Sequence, residues 1–371
     1  MKARNGSGET RHQRVEETRL TGMLNILVFL ATAAVAYSDQ IVAPDISLGY
    51  LYVLPIALSA LVNPFPVTLG LIAVCTFLAD IFYPQVSVSL QVRIVRDAMT
   101  LGGFLIVGIL VRTIARQRER LAAEVRRQRD EYEHDLTLAA QVQRQVLPKP
   151  LVCTSLELAA TMQTAQLLGG DYYDFFQISE NVVDVVIADV SGHGAAASLL
   201  MPSLAVALRL RASELSGPAA ILADLDPVLR QITSTATFVT MFYGRFDQAG
   251  KTLKYANGGH NPPLLTRRKT GESLQLDSGG PILGILKDTH FSDTVVALEK
   301  GDILTLFTDG VTEQENEAGD EFSLTRLEEV VLKQQAESAS TLVGCITEAV
   351  SAFAGDKPQA DDLTLVVVKI L

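Results

Sequence analysis

Four aspartates stand where apolar runs meet turns: Asp171 in LLGGDYYDFF, Asp189 in VVIADVSGHG, Asp309 in LTLFTDGVTE and Asp361 in QADDLTLVVVKI. Short apolar runs bounded by turn residues read as buried strands, so each carboxylate is offered where the chain leaves a core. Taken singly, any of the four is also an ordinary turn residue or helix cap. Brought together, four like charges repel and raise one another's pKa. Divalent cations that prefer hard oxygen ligands, Mg2+ or Mn2+, remove that repulsion. A pair of such ions lowers the pKa of a shared water and clamps a phosphoryl group. The chemistry these residues point to is metal-dependent hydrolysis of phosphate esters.

The motifs around them recur in a fixed order: AAQVQRQVLPKP, GGDYYDFF, ADVSGHGAAASLLM, TFVTMFYGRFD, YANGGHNPPLL, FTDGVTE and DDLTLVVV. From about residue 135 to the end the chain resembles the PPM-type (protein phosphatase 2C-like) serine/threonine phosphatases. Its likeness is to the bacterial branch that holds stage II sporulation protein E and the sigma-B regulators. The resemblance implies an α+β fold, a β-sandwich flanked by helices, with two divalent cations, Mn2+ or Mg2+, at one end. It implies that Asp189 bridges both ions, that Asp171 and the backbone carbonyl of Val190 complete the first site, and that Asp309 and Asp361 hold the second. Hydrolysis then needs no phosphoenzyme, so no Ser or Cys nucleophile is sought. Asp362 and Asp174 stand close in sequence as supporting groups, or as ligands if the register shifts by one, and Glu313 supports the turn after Asp309. His193 precedes a helix start, where anions are favoured. It is either a proton donor to the leaving serine oxygen or a structural residue of the turn, whereas His260 in NGGHNPP reads as structural. The branch further implies a phosphoserine on a small anti-sigma-factor antagonist (a STAS-domain protein) as substrate, and a regulatory switch in the helices after residue 195.

The elements that must position these groups follow from periodicity. Strand-like runs lie at 182–188, 238–246, 252–256, 263–266, 303–307 and 363–370, and helical patterns at 195–211, 218–233, 324–335 and 340–353. They cluster rather than alternate strictly, which suits a layered α+β domain. Before them, residues 112–147 contain neither Gly nor Pro and are rich in Arg, Gln, Glu and Ala, which favours one long helix. An approximate heptad runs Leu121, Val125, Gln128, Tyr132, Asp135, Ala139, Val142, Val146. Its polar members weaken a coiled coil, and two readings stay open: a parallel homodimer, or a single helix packed on the catalytic domain. Pro148 and Pro150 end the helix.

The first third is apolar, with stretches at 21–37, 47–62, 65–83 and 98–114 that approach the length of membrane-spanning helices. Lys2, Arg4, Arg11, Arg14 and Arg19 precede them, and Arg112, Arg116, Arg118 and Arg120 follow. By the positive-inside rule both ends face the cytoplasm, and the number of spans is even. Arg93 and Arg96 sit against that pattern, in the second outer loop. The expected organisation is a four-span α-helical membrane domain over 1–114, a helical linker over 115–147 and the phosphatase domain over 148–371. It describes a multi-pass protein of the cytoplasmic (inner) membrane with its catalytic part in the cytoplasm and the lipid bilayer as a partner.

The 371 residues carry a net charge of −11, with +2 on residues 1–147 and −13 on the rest. An acidic catalytic half without a basic stripe excludes nucleic acid as a partner. Cys75, Cys153 and Cys345 lack any metal-ligand spacing and read as reduced thiols. Rival readings of the whole are a pseudophosphatase that binds its partner without hydrolysis, a membrane-bound signalling scaffold, and a small-molecule phosphatase. Intact Asp171, Asp189, Asp309 and Asp361 argue against the first.

Overall fold

Apolar periodicity changes from helical to strand-like after residue 150, and the structure changes with it. The computed structural model describes residues 6–42, 48–81, 89–192, 195–212, 217–232 and 237–371. It divides into two units, Met1–Glu131 and Tyr132–Leu371.

The first unit contains α1 (Gly6–Val42), α2 (Val53–Val62, entered through a 3-10 turn at Gly49–Tyr52), α3 (Phe65–Ile81) and the first part of α4 (Leu90–Val146). The four expected apolar stretches fall on these helices, except residues 47, 82 and 83, which lie outside the described residues. Among the described residues, two helices are long and apolar enough to cross a bilayer: α1 over Arg19–Ile41, and α4. Gly49–Val62 and Phe65–Ile81 are shorter. At about 1.5 Å per residue, such lengths fall short of a core of about 30 Å. Only 11% of each long apolar window is buried within the protein, unlike the core helix of a soluble fold. Several polar groups here are paired. Ser59 and Thr68 share a hydroxyl contact of 3.3 Å between α2 and α3, and Asp39 accepts the Leu48 N–H at 2.7 Å. Arg93 and Arg96, the basic residues that sit against the charge rule, both bond to Asp80, and Arg96 also bonds to Asp97 at 2.7 Å. Their charge is thereby offset.

The second unit begins with the last turns of α4 and continues as β1 (Leu156–Gln163), β2 (Tyr172–Ser179), β3 (Val182–Val190), α5 (Ala195–Arg211), α6 (Pro218–Ile232), β4 (Val239–Asp247) and β5 (Thr252–Gly258). Then come β6 (Leu264–Thr266), β7 (Ser273–Gln275), β8 (Gly279–Gly280), β9 (Thr294–Ala297), β10 (Ile303–Phe307), α7 (Asp309–Thr312), α8 (Ser323–Lys333), α9 (Ala339–Ala354) and β11 (Leu363–Ile370). One sheet has the order β1-β11-β10-β6-β7, the other β2-β3-β4-β5-β8 with β9 also paired to β5. Strand alternation builds the layers. Val183, Val185 and Ile187 of β3 face Leu304, Leu306, Val366 and Val368 of the opposite sheet. Val186, Ala188 and Val190 point the other way, against Met201, Leu204 and Leu208 of α5 and Ile221 and Leu225 of α6. On the far side Ile303, Phe307, Leu365 and Val367 pack on Leu327, Val331, Leu342 and Ile346 of α8 and α9. A sheet covered on both faces needs apolar residues at nearly every position, which is why β3 and β11 read as continuous apolar runs. The expected α+β sandwich flanked by helices is the fold observed.

One charged pair interrupts the layer beneath α5. Asp184, fully buried, accepts Arg245 Nε at 2.7 Å, Arg245 Nη2 at 2.7 Å and the Tyr243 hydroxyl at 2.6 Å. Removing one member of such a pair strands the other charge in a low dielectric. Arg245→Ala is therefore expected to cost about 3–5 kcal/mol in denaturant unfolding followed by circular dichroism. A loss below about 1 kcal/mol would show the pair to be solvated in solution.

Candidate metal centre

The sandwich brings Asp171, Asp189, Asp309 and Asp361 to one end. Asp171 immediately precedes β2, Asp189 is the penultimate residue of β3, Asp309 opens α7 directly after β10, and Asp361 lies just before β11. Because β3 pairs with β2 and β10 with β11, their ends deliver the four to a common edge. The electrostatics follow from that placement. Burial first, then Asp309, Asp361 and Asp362, push the Asp189 carboxyl up to about 7. Burial and Asp189 hold Asp171 well above the usual carboxylate range. Asp309 is raised by burial and by Asp361, and Glu313 by burial and Asp309.

The neighbours of Asp171 define its free side. Its Oδ2 accepts the hydroxyls of Thr364 at 2.5 Å and Thr308 at 2.8 Å, leaving Oδ1 for another partner. Thr308 is itself locked, taking the Thr364 N–H at 2.9 Å. Neither threonine was singled out by motif reading, yet both carry a signal: each is a hydroxyl within or beside an otherwise apolar strand. Asp362 is fully engaged, since Oδ1 accepts the Ala165 N–H and Oδ2 the Gly170 N–H, each at 2.8 Å. It anchors the loop before Asp171 instead of offering a free oxygen. Asp174 is likewise occupied by the Tyr172 hydroxyl at 2.5 Å, Arg209 Nε at 2.8 Å and the Phe175 N–H at 2.8 Å.

Two glycines are required by close approach. A Cβ on Gly170 would lie 2.8 Å from the Val190 carbonyl oxygen, so only glycine lets this backbone pass beside Val190 and Asp189. A Cβ on Gly310 would lie 2.1 Å from the Asp362 carbonyl. The Asp171 loop thus lies close against the Asp189 strand end, and the Asp309 loop against that of Asp361. His193 lies outside the described residues. His260 is buried at this end, with Nδ1 2.9 Å from the Thr240 hydroxyl, and Thr240 is the ladder partner of Asp189. Burial pushes its pKa down to about 4, which keeps the ring neutral.

Carboxylates and one backbone carbonyl are the donor set that hard divalent cations prefer. Among the described residues no three Asp, Glu, His or Cys side chains close into a coordination shell. The aspartates are near enough to perturb one another. The residues fit a cation that would draw them together.

Comparison with known proteins agrees with this fold. The family described as Stage II sporulation protein E (SpoIIE) matches residues 179–371, and the Domain of unknown function (DUF4118) matches residues 21–131. The phosphoserine phosphatase RsbU of Bacillus subtilis is 31% identical over 242 residues, covering 64% of this chain and 71% of RsbU. The phosphoserine phosphatase RsbP of the same organism is 28% identical over 181 residues, 48% of this chain and 45% of RsbP. Of that second relative the match therefore spans less than half. The SiaA-PP2C domain of Pseudomonas aeruginosa shares the fold at a TM-score of 0.57 and 20% identity, covering 66% of this chain and 98% of that one. The SpoIIE phosphatase domain with a fragment of its regulatory domain, from Bacillus subtilis, follows at 0.51 and 18%, covering 59% of this chain and 64% of that one.

The raised carboxyls set a pH dependence. A carboxyl whose folded pKa lies above its unfolded value stabilises the fold below the unfolded pKa, and that stability is lost as pH rises through the folded pKa. Without metal, the melting temperature is expected to fall as pH rises from about 4 towards and past the Asp189 value of about 7. Saturating Mn2+ needs ionised ligands, so its stabilisation should be larger near pH 8 than near pH 6. A metal-free melting temperature that rises over this range, measured by calorimetry, would contradict the arrangement of charges.

Proposed function

We propose that this chain, which belongs to the stage II sporulation protein E family, is a metal-dependent protein phosphatase that removes phosphate from serine on a regulatory partner protein. One observation carries the reading. Four aspartates from separate strand ends are held at one edge of the sandwich, and burial together with neighbouring carboxylates raises the pKa values of Asp171, Asp189 and Asp309. A fold keeps such repulsion only where a cation or a proton relieves it. Asp189 would bridge two divalent cations, Mn2+ or Mg2+, with Asp171 and the Val190 carbonyl on one side and Asp309 and Asp361 on the other. When bound, the ions supply charge neutralisation for a phosphoryl group and a water of lowered pKa. The chain's own residues do the rest: Thr308 and Thr364 fix which oxygen of Asp171 is free, and Gly170 and Gly310 let the loops approach. His193 is the candidate donor to the departing serine oxygen.

The substrate we propose is a phosphoserine on a STAS-domain anti-sigma-factor antagonist, in keeping with relatives that are phosphoserine phosphatases and with an acidic catalytic half. The anchor is a membrane domain over 1–114, joined by a helical linker over 115–147 to the catalytic domain over 148–371. Four spans, arginine-flanked at both cytoplasmic ends, would place it as a multi-pass protein of the cytoplasmic membrane. The exposed apolar windows of α1 and α4 and the pairing of Arg93 and Arg96 with Asp80 and Asp97 support this.

The decisive assay is phosphate release from a phosphoserine STAS protein with Mn2+, with Mg2+ and with chelator. Release should require the metal and fall more than about 100-fold in Asp189→Asn, with weaker Mn2+ binding. Near-normal turnover in that variant would remove the bridging role. Metal binding without turnover on the STAS protein or on simple esters would favour a silent partner-binding protein. Separately, reporters fused after Asp39 and after Arg120 should lie on opposite faces of the membrane. The same face for both would overturn the four-span topology.

A further inference from the structure

The last turns of α4 lean on the catalytic unit with little apolar anchorage. Over residues 132–146 only Ala140 and Gln143 are buried. The expected heptad face looks outward, with Val142 61% exposed, Tyr132 62% exposed and Ala139 also exposed. A cavity of about 500 Å³ lies against this end of the helix, lined by Gln143, Arg144, Met162, Thr164 and Tyr173 among others. Pro148 and Pro150 end the helix, and Val146 and Leu147 pack partly against the core of α5 and α6, but this apolar contact does not by itself fix how the turn bearing Gln143 is seated.

Two polar clamps do. Arg209 Nη2 of α5 donates to the Val146 carbonyl at 2.7 Å. Gln143 makes a two-point contact: Nε2 donates to the Gly169 carbonyl at 2.6 Å, and Oε1 accepts the Gly169 N–H at 3.3 Å. A single primary amide thus satisfies both backbone groups of one residue, all of it out of water. Gly169 cannot retreat on its other side, because a Cβ there would lie 2.4 Å from Asp362 Oδ2 and 2.7 Å from Thr164 Cγ2. The Gly169-Gly170 backbone is held between Gln143 and Asp362. Gly170 lies against the Val190 carbonyl, and the next residue is Asp171.

We propose that Gln143 is a positioning residue of the metal centre, setting the Gly169-Gly170 backbone and through it the approach of Asp171 and the Val190 carbonyl to the cation. A long helix residue touches no ligand, yet fixes where two of them stand. The inference rests on the metal-site reading above, and only its activity readout depends on the phosphatase reading. A simpler role, in which Gln143 merely satisfies buried backbone groups, would affect folding but not cation affinity once the protein is folded.

The two are separated by Mn2+ titration calorimetry on the detergent-solubilised full chain, beside its melting temperature without metal. Gln143→Ala should weaken Mn2+ binding about tenfold or more while a folded protein remains, and excess Mn2+ should restore phosphate release. Gln143→Glu keeps the acceptor for the Gly169 N–H but loses the donor, and should also weaken Mn2+ binding. It serves as the test should the alanine variant fail to fold. Gln141→Ala, at an exposed position of the same helix, should bind Mn2+ as the wild type does. Wild-type Mn2+ affinity in folded Gln143→Ala or Gln143→Glu overturns the proposal. A wild-type chain that binds Mn2+ but releases no phosphate defeats the phosphatase reading and leaves the calorimetric comparison standing. A wild-type chain that binds no Mn2+ defeats both.

Discussion

Burial of carboxylates at the end of a sandwich, compounded by their mutual repulsion, is the constraint on which the catalytic unit turns. An Asp189 carboxyl pushed up to about 7 is poorly accommodated as an anion in the metal-free fold. The remaining structure must hold the group against that repulsion or yield to it. It holds because the carboxylates are not carried on free loops. Each stands at or within two residues of a strand end, and the strands are paired in ladders buried on both faces, where displacement would uncover apolar surface. The two-sheet core supplies the restoring force, and the repulsion is its cost.

The supporting groups divide into two kinds. Thr308 and Thr364 act on the side chain of Asp171 and choose which oxygen remains free. Asp362, Gly170 and Gly310 act on backbone, tying loops together through N–H groups and contacts that no Cβ would permit. This division explains how adjacent Asp361 and Asp362 differ. Asp362 is consumed by two backbone donors, whereas Asp361 gives its Oδ1 only to the following N–H. Asp174, buried and ion-paired to Arg209, ties β2 to α5 instead of joining the metal edge.

Much of this was legible in the sequence because burial on both faces writes itself as uninterrupted apolar runs. β3, β10 and β11 follow that rule, and their ends mark three of the four aspartates, Asp189, Asp309 and Asp361. β1 (LELAATMQ) and β2 (YYDFFQIS) did not stand out as strands, since β1 lies at a sheet edge with partly exposed positions and β2 carries Asp174 and Gln177 in mid-strand. Thr308, Thr364 and Gln143 escaped for a related reason. Their importance lies in bonds to residues 137, 193 and 26 positions away, and no local pattern records such partners. The heptad written into α4 pointed to Ala139, Val142 and Val146, while the face turned to the catalytic unit is the adjacent one bearing Ala140 and Gln143. A helix can carry two faces, and periodicity alone does not say which is covered.

That second face bears on how such a centre can be controlled. A metal site built from rigid strand interiors would have a fixed affinity, insensitive to what surrounds it. Here Asp171 and the Val190 carbonyl are placed by a glycine pair whose own position depends on a glutamine across a polar contact. Directional bonds of this kind are lost over small displacements, unlike apolar packing, which weakens gradually. The free energy of cation binding must also offset the carboxylate repulsion, so a modest misplacement of the loop removes a disproportionate share of affinity. α4 is one unbroken helix from Leu90 to Val146. The segment that bears Gln143 therefore belongs to the same helix as the last apolar stretch, and with Gln143 in the role proposed for it the metal centre would depend on how the end of that helix is seated.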